Sequence, residues 1–288
     1  MKLACSLLII FLSTAALYAQ EGLKSKESYK DIIKKAQNLT LQQNRLQASQ
    51  VLVRVIQSES YNKKAQEELK KTLDEISTIF YTEKTQKLFE YAKSLLRESE
   101  AESLAKFNEA LKIEANNITI LLWSGRLSLM MGRCEDANQK ATKGLEINPF
   151  SPQLQLLEIQ AMACSQSIEG LDRAFGEYSH LQDVYPLYYH MAMAQKFYLQ
   201  KEYPKATYHI TKAKQIDREF PEIYYWEIQI LTKQELTAKE PVSRYVRMCK
   251  TISKADYLKY ELEPRLCREF KTVEIEYKNI LERESKKD

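Results

Sequence analysis

At residues 117–149 two segments with apolar residues at helical spacing follow each other across a glycine turn, and other parts of the chain vary this pattern. The first segment carries Gly125 midway along its apolar stripe, and a turn follows at Gly132. Apolar residues at three- and four-residue spacing predict two amphipathic helices. The second helix carries small residues and ends at a proline: Ala137, Ala141, Gly144 and Pro149. Small residues at a helix crossing allow close packing, so we expect a tight helical hairpin.

This spacing resembles the tetratricopeptide repeat, in which a small residue is followed by an alanine, an aromatic residue and a proline at fixed intervals. Gly125, Ala137 and Pro149 keep those intervals, whereas Ala141 stands in the aromatic position. The resemblance implies an all-α fold, a right-handed solenoid of stacked helical hairpins. It also implies a non-enzymatic protein-interaction module.

Neighbouring segments repeat the pattern with variations. The next unit keeps the alanine-to-aromatic spacing and its proline, with one residue inserted, at Ala161, Ala174, Tyr178 and Pro186. A third unit has Ala194, Ala206 and Ile210 at the corresponding places. Weaker units flank these three, so the resemblance covers residues 103–253 well and residues 29–57 weakly.

The two ends of the chain predict additional elements. Residues 29–57 predict a degenerate hairpin, and apolar residues from Ala65 to Phe80 predict an extra long amphipathic helix. At the other end, Pro264 precedes a predicted capping helix at residues 265–287. We therefore divide the chain into residues 1–19, an irregular helical region at 20–98, repeats at 99–253, and a capping helix with a frayed tail at 254–288.

Residues 1–19 have the character of a secretory signal peptide. Lys2 precedes an apolar run, and a small-residue region ends at Ala19. The alternative is a signal anchor, although the run is shorter than the roughly 20 residues that span a bilayer. We expect a soluble, exported protein, with a bacterial periplasm as its compartment.

Composition and motifs exclude several function classes. The 43 basic and 39 acidic residues interleave at a formal net charge of +4, so we expect no nucleic-acid partner. There is no phosphate-binding glycine loop, nucleophile elbow or zinc-protease motif, so we predict no enzymatic activity, no cofactor and no small-molecule substrate. The cysteine spacing and the scattered histidines also argue against a metal site.

Four cysteines remain after removal of a signal peptide, and an even number in an exported chain suggests disulfides. Cys134 lies in a hairpin turn and Cys164 near the end of the next first helix, so adjacent hairpins bring these positions together. We predict Cys134–Cys164, which leaves Cys249–Cys267 to join the last hairpin to the terminal helix. The alternative is four separately buried thiols.

The surface lined by the first helix of each hairpin is the predicted binding groove. Helical periodicity, counted from Gly125, Ala161, Ala194 and Ile228, predicts the residues on this surface. Their mixture of aromatic, thioether and amide groups suits an extended peptide. The candidates are Leu122, Arg126, Leu129, Met162, Tyr188, Met191, Gln195, Tyr198, Tyr225 and Gln229. The alternative for the tyrosines is packing within the core.

Three functions follow from these observations. The first is an adaptor that holds a peptide segment of an envelope or secretion protein in the groove, and the second is a structural assembly component that uses convex or terminal surfaces. The third is an enzyme of undetected type. An open apolar groove would favour the first, a groove filled by the chain's own termini the second, and a cleft with several buried carboxylates the third.

Overall fold

The computed structural model describes residues 27–96, 98–253, 259, 261–263 and 265–285, and these residues form helices and turns with no strand. The predicted signal peptide lies outside the described residues, as does the end of the predicted frayed tail. No helix in the described ranges has the length and apolar character needed to cross a membrane. The helices are α1 Tyr29–Leu41, α2 Arg45–Gln57, α3 Lys63–Thr78, α4 Glu83–Ser94, α5 Glu100–Ile113, α6 Ile118–Met130, α7 Cys134–Ile147, α8 Pro152–Cys164, α9 Ile168–Glu177, α10 Leu181–Val184, α11 Pro186–Leu199, α12 Tyr203–Ile216, α13 Pro221–Lys233, α14 Lys239–Thr251 and α15 Phe270–Ser285.

The chain divides into two compact units after Ile76, near the end of α3. In the first unit α1 and α2 form the predicted hairpin, with Ala36 and Ala48 fully buried between them. The side chain of Asn44 caps the start of α2 by accepting a hydrogen bond from the backbone N–H of Gln47. The predicted long helix is α3, whose Leu69 and Leu73 are fully buried.

The second unit is a stack of helical hairpins. The pairs α4/α5, α6/α7, α8/α9, α11/α12 and α13/α14 each pack together, and the first helices α6, α8, α11 and α13 also pack in succession. The short α10 is inserted between the third and fourth of these hairpins. The predicted capping helix α15 packs on α14. The predicted fold, an all-α solenoid of stacked hairpins with an extra long helix and a capping helix, is confirmed.

Four hairpin turns of the second unit share one backbone geometry. Each contains a residue with positive φ, and the following N–H donates to the carbonyl five residues earlier, as in the Schellman motif that ends helices. The four residues are Gly132, Gln166, Lys201 and Glu235, and successive members are 34, 35 and 34 residues apart. Only the first is a glycine, so three of the four turns hold a residue type that rarely adopts this conformation. The hairpins therefore repeat with the period expected for a tetratricopeptide-like solenoid.

Two glycines allow hairpins to approach closely. A Cβ atom on Gly125 in α6 would lie 2.6 Å from Leu157 Cδ2 in α8, and one on Gly144 in α7 would lie 2.7 Å from Leu154 Cδ1. The same Gly125 position is 3.5 Å from Lys140 Cβ in its own hairpin. The tightest contact of Gly125 is thus with the next hairpin rather than with its partner helix.

Both predicted disulfides are present. Cys134–Cys164 joins the start of α7 to the end of α8, with Cα atoms 5.5 Å apart. Cys249–Cys267 joins α14 to the turn before α15, with Cα atoms 5.7 Å apart. Bonds that close loops of this size typically stabilise a protein by about 3 kcal/mol. The second bond fixes a segment that the sequence did not predict as a turn, because the terminal helix begins at Phe270 rather than at Arg265.

Candidate functional site

The repeated turns define equivalent positions on the four first helices. The groove face, as we use the term, comprises the residues thirteen, ten and six positions before each turn residue. The position six residues before the turn residue holds a guanidinium or an amide group in each of the four repeats. In chain order the three rows are Thr119, Gln153, Tyr188 and Glu222; Leu122, Leu156, Met191 and Tyr225; and Arg126, Gln160, Gln195 and Gln229.

A segment of the chain itself lies on this groove face. We call it the strap; its described residues are 259, 261–263 and 265–269. Gln160 donates from Nε2 to the carbonyl oxygen of Leu262 at 2.8 Å, and Tyr225 donates from its hydroxyl to Glu269 Oε1 at 3.1 Å. The Leu262 side chain belongs to the hydrophobic cluster formed with Leu156 and Ile159 of α8. The strap therefore covers the groove face from α8 to α13.

A buried ion cluster anchors the C-terminal part of the strap. Arg268 donates from Nε to Glu222 Oε2 at 2.6 Å and from Nη2 to Glu263 Oε1 at 3.1 Å. The side chains of Glu222 and Glu263 are 0% and 6% exposed, and that of Arg268 is 10% exposed. The hydroxyl of Tyr245 in α14 also donates to the carbonyl oxygen of Arg268. Side chains from α13 and α14 thus fix the strap beside the Cys249–Cys267 bond.

The buried charges of the cluster perturb one another, and the charges of Glu222 and Glu263 also act on Arg265. Burial raises the pKa of Glu222, the Arg268 guanidinium opposes this rise and the Glu263 carboxylate adds to it, and the net result is a pKa of about 7. Burial acts to lower the pKa of Arg268, but the two carboxylates outweigh it and raise that pKa. Two carboxylates share one guanidinium, so a proton on Glu222 relieves their repulsion. These carboxylates are engaged in structural bonds rather than open to a substrate.

Aromatic rings surround the anchored end of the strap. The Arg268 guanidinium lies 5.3 Å from the Tyr225 ring centroid and 5.5 Å from that of Trp226. Trp226 also meets Tyr198 edge to face at 5.5 Å, and Tyr225 packs against Tyr245 at 6.0 Å. Burial raises the pKa of Tyr225, and the charge of Glu269 raises it further. Tyr225 and Tyr245 thus bind the chain's own strap through their hydroxyl groups, which is more specific than general core packing.

Arg126 occupies the other end of the groove face and lacks a comparable anchor. It is 6% exposed, and its guanidinium lies 5.3 Å from the ring of Trp123. Within the described ranges, no hydrogen bond or ion pair reaches this guanidinium. Burial lowers its pKa, while the charge of Glu261 in the strap acts in the opposite direction. Arg126 is therefore a buried cation whose nearest acidic influence comes from the strap.

The structure separates the ten predicted groove residues into three groups. Arg126, Tyr188, Gln195, Tyr225 and Gln229 lie on the groove face, where Tyr188, in edge-to-face contact with Phe220, and Gln229 are half-buried. Tyr198 lies beside the groove face and contacts Trp226. The remaining four are buried in hydrophobic clusters: Leu122, Leu129, Met162 and Met191. Of these, Leu122 and Met191 also belong to the groove-face rows.

The choice of reference residue on α8 accounts for the placement of Met162. Counting from the turn at Gln166, the residue equivalent to Gly125 is Ile159 and not Ala161. Met162 consequently faces its own hairpin, where its sulfur lies 3.1 Å from the position of a Cβ on Gly170. Gln160 takes the equivalent groove position and contacts the strap.

The sequence prediction also omitted Glu222, although the spacing of residues along the row indicates it. Tyr188 was included because it lies one helical turn before Met191 in the same row. The same step from Tyr225 leads to Glu222. A buried glutamate in that row indicates a cationic partner, which the strap supplies as Arg268.

A histidine pair lies between α11 and α12. His190 Nδ1 and His209 Nδ1 are 3.0 Å apart, so one ring donates a hydrogen bond to the other. Burial, together with the charges of His190 and Lys196, lowers the pKa of His209 to about 4. Across the described part of the chain, no three His, Cys, Asp or Glu side chains are placed to hold a metal ion.

The contribution of His209 to the free energy of unfolding should therefore fall as the pH decreases from about 6.5 to about 4, whereas that of Glu222, whose pKa is raised, changes in the opposite direction. The unfolded state takes up a proton at the ordinary histidine pKa, whereas the folded state does so only near 4, so protonation favours unfolding within this window. Because His209 is half-buried, we expect a loss of about 1 kcal/mol. Urea titrations at pH 7 and 4.5 measure it. His209→Gln should remove this contribution of about 1 kcal/mol from the pH dependence, whereas His180→Gln, at an exposed position, should leave the pH dependence of the wild type unchanged; equal slopes in both variants would contradict the assignment.

The helix contacts and the turn period define the class of the protein: it is a helical-repeat solenoid whose groove face carries a strap from its own chain. No protein-family model matches the sequence, and no curated protein matches it. Among solved structures, the chain is similar to a tetratricopeptide repeat protein from Parabacteroides merdae ATCC 43184. That likeness has a TM-score of 0.46 and 15% sequence identity, and it covers 88% of this chain and 98% of the other.

Proposed function

We propose that this chain is an exported, non-enzymatic structural component of a protein assembly, and that it contacts its partners through the outer and terminal surfaces of its repeats. One observation carries the proposal: the strap covers the groove face from α8 to α13. The ion cluster of Arg268 and the Cys249–Cys267 bond resist displacement of the strap's C-terminal part.

Two disulfides support an oxidising compartment, since such bonds persist mainly in exported proteins. We therefore propose a periplasmic location with association to the cell envelope. An isolated repeat scaffold has no chemistry of its own, and its function lies in the surfaces that it presents. Large apolar side chains are exposed on α12 and α15, where Tyr208 is 57%, Ile216 46% and Ile275 60% exposed.

A photo-cross-linking residue placed at single positions in the native host tests this proposal. We expect partner cross-links from Tyr208, Ile216 or Ile275, which lie on exposed outer and terminal helices. Gln229, half-buried on the groove face of α13, the helix whose Glu222 and Tyr225 bind the strap, is the matched internal position and should give no intermolecular product. Cross-links from Gln229 alone would contradict the proposal and favour the groove as the main binding surface.

The second candidate is an adaptor that binds a peptide segment of an envelope or secretion protein in the groove. The strap itself favours it, because an extended segment already lies there with a main-chain hydrogen bond from Gln160. Photo-cross-linking at Arg126 distinguishes the two candidates. A partner product at Arg126 that disappears on addition of excess strap peptide supports the adaptor.

A further inference from the structure

The two imidazole rings of the histidine pair meet nearly head on. His190 Nδ1 and His209 Nδ1 lie 3.0 Å apart, and the two ring centroids lie 5.2 Å apart. The centroid separation is close to the nitrogen separation plus the distance from centroid to nitrogen in each ring, so the two nitrogens point at each other along one line. One Nδ1 carries a proton and the other a lone pair. The pair therefore holds one proton on a nearly linear axis between two nitrogen atoms.

Aromatic rings surround this axis. Phe197 stacks on His209 with ring centroids 5.5 Å apart and an interplanar angle of 19°. Tyr208 meets His209 edge to face at 5.2 Å, and Tyr189 meets His190 in the same way at 5.8 Å. Both imidazoles are nevertheless only half-buried. The surroundings of the axis are thus largely apolar, yet a small ion can reach it from solvent.

The charges beside the pair disfavour additional positive charge. Burial lowers the pKa of both histidines, and the charge of Lys212 acts in the same direction on His190, as that of Lys196 does on His209. Neutral imidazole is the form that binds metal ions, so both rings are available as ligands at neutral pH. The two lysines repel a divalent ion about twice as strongly as a monovalent one. Asp172, paired with Lys196 at 2.6 Å, moderates this repulsion without removing that of Lys212.

We infer that His190 and His209 form a two-coordinate site for the monovalent copper ion, Cu⁺. Imidazole nitrogen is a good copper ligand, and Cu⁺ accepts two ligands on one line, whereas Zn²⁺ in proteins takes about four. Among the residues that the structure describes, no third His, Cys, Asp or Glu side chain completes a larger metal site around the pair. Two opposed nitrogens, apolar surroundings and nearby lysines all favour Cu⁺ over a divalent ion. The site goes beyond the role proposed for the outer and terminal surfaces.

Binding replaces the proton on the axis by the metal ion. Metal–imidazole bonds of about 2 Å place two nitrogens on one line about 4 Å apart, so the pair opens by about 1 Å. Rotation of the half-buried side chains supplies this change. The ring that carried its proton on Nδ1 becomes the Nε2–H tautomer, so both rings then carry a proton on Nε2 and bind copper through Nδ1. No proton is gained or lost overall, and the copper ion keeps its oxidation state.

An anaerobic titration of the isolated full chain with Cu⁺, buffered by the chelator bicinchoninate, tests the inference. The wild type should bind one ion per chain. His190→Gln and His209→Gln should each weaken binding by more than the roughly 100-fold that loss of a supporting residue costs, and Phe197→Leu, which changes only the surroundings, should weaken it about tenfold. His180→Gln, at an exposed position, is the matched control and should bind like the wild type.

Spectroscopy of the copper-loaded chain tests the geometry. X-ray absorption should show the strong pre-edge transition of linear two-coordinate Cu⁺ with nitrogen ligands alone, and ¹⁵N NMR should show His190 and His209 both protonated on Nε2. Sulfur ligands, or a proton left on either Nδ1, would overturn the inference. No binding by the wild type, unchanged binding by both glutamine variants, or tighter binding of Zn²⁺ than of Cu⁺ would also overturn it.

Circular dichroism and intact-mass measurement verify that each variant keeps its fold and both disulfides. If His209→Gln does not fold, His190→Gln decides the result alone. The titration uses the isolated chain without any partner protein, so failure of the copper site leaves the assembly proposal untouched, and absence of partner cross-links leaves the copper site untouched.

Discussion

Replacing Arg268 by methionine is expected to lower the free energy of unfolding by about 3–5 kcal/mol at neutral pH, because it leaves two buried carboxylates without their cation. Glu222 is fully buried and Glu263 nearly so, and Arg268 is the cation that bonds to both. Methionine replaces most of the side-chain volume, so the loss reports charge rather than a cavity. Urea denaturation of the full chain, with both disulfides intact, measures it.

A neighbouring ion pair provides the matched control for Arg268. Arg244 in α14 pairs with Glu240 at 2.9 Å, but their side chains are 41% and 76% exposed. Arg244→Met should therefore cost less than about 1 kcal/mol. Combining Arg268→Met with Glu222→Gln and Glu263→Gln should restore a large part of the lost stability, since it removes the unpaired charges. Equal effects of Arg268→Met and Arg244→Met would show that the strap is not anchored by this cluster.

Replacing Gly125 by leucine is expected to cost about 3 kcal/mol, because the new side chain must enter space that Leu157 occupies. Even a Cβ would lie 2.6 Å from Leu157 Cδ2. Leucine has a higher helix propensity than glycine by roughly 0.8 kcal/mol, so the packing cost must exceed this gain. The thermal unfolding midpoint and the urea transition both report the net effect.

Gly176 offers a control at which only helix propensity changes. It lies in α9, and a Cβ there would meet no atom within 4 Å. Gly176→Leu should therefore leave stability unchanged or raise it by about 0.5–1 kcal/mol. Adding Leu157→Ala to Gly125→Leu should recover part of the loss, since the two positions share one space. Strict additivity of the two changes would mean that Gly125 does not mediate contact between hairpins.

The local periodicity of apolar residues was sufficient to predict most of the fold. The predicted hairpin at residues 29–57, the long helix α3 and the repeated hairpins follow from apolar residues at helical spacing, whose burial favours stacking whatever the details of the turns. The Cys134–Cys164 pair followed too, because consecutive hairpins bring the end of a first helix beside the turn of the preceding hairpin, and Cys249–Cys267 was the pair that remained. The repeated turn geometry was less visible, since only Gly132 among the four turn residues is a glycine.

Prediction of the groove face depended on register. Gly125 and Ala194 were correct reference residues, and they placed Arg126 and Gln195 on the face that the turns define. Ala161 was two residues out of register, so Gln160 was omitted. Small residues occur at several places in a helix, whereas the turn fixes a single alignment. The local pattern of small residues is therefore compatible with more than one alignment of the repeats, whereas the turn geometry is compatible with one.

The amino-acid sequence by itself determined the helices, their pairing into hairpins and the closeness of their packing, because these depend on spacings within about forty residues. Only the tertiary structure decided that residues 265–269 belong to the strap rather than to the start of the last helix. Cys267 and Glu269 adopt positive φ there, and Arg268 reaches Glu222, 46 positions earlier in the chain. Such a conformation is stable only where groups distant in the chain, such as Arg268 and Glu222, pair in a buried site. Local periodicity contains no information about such a contact.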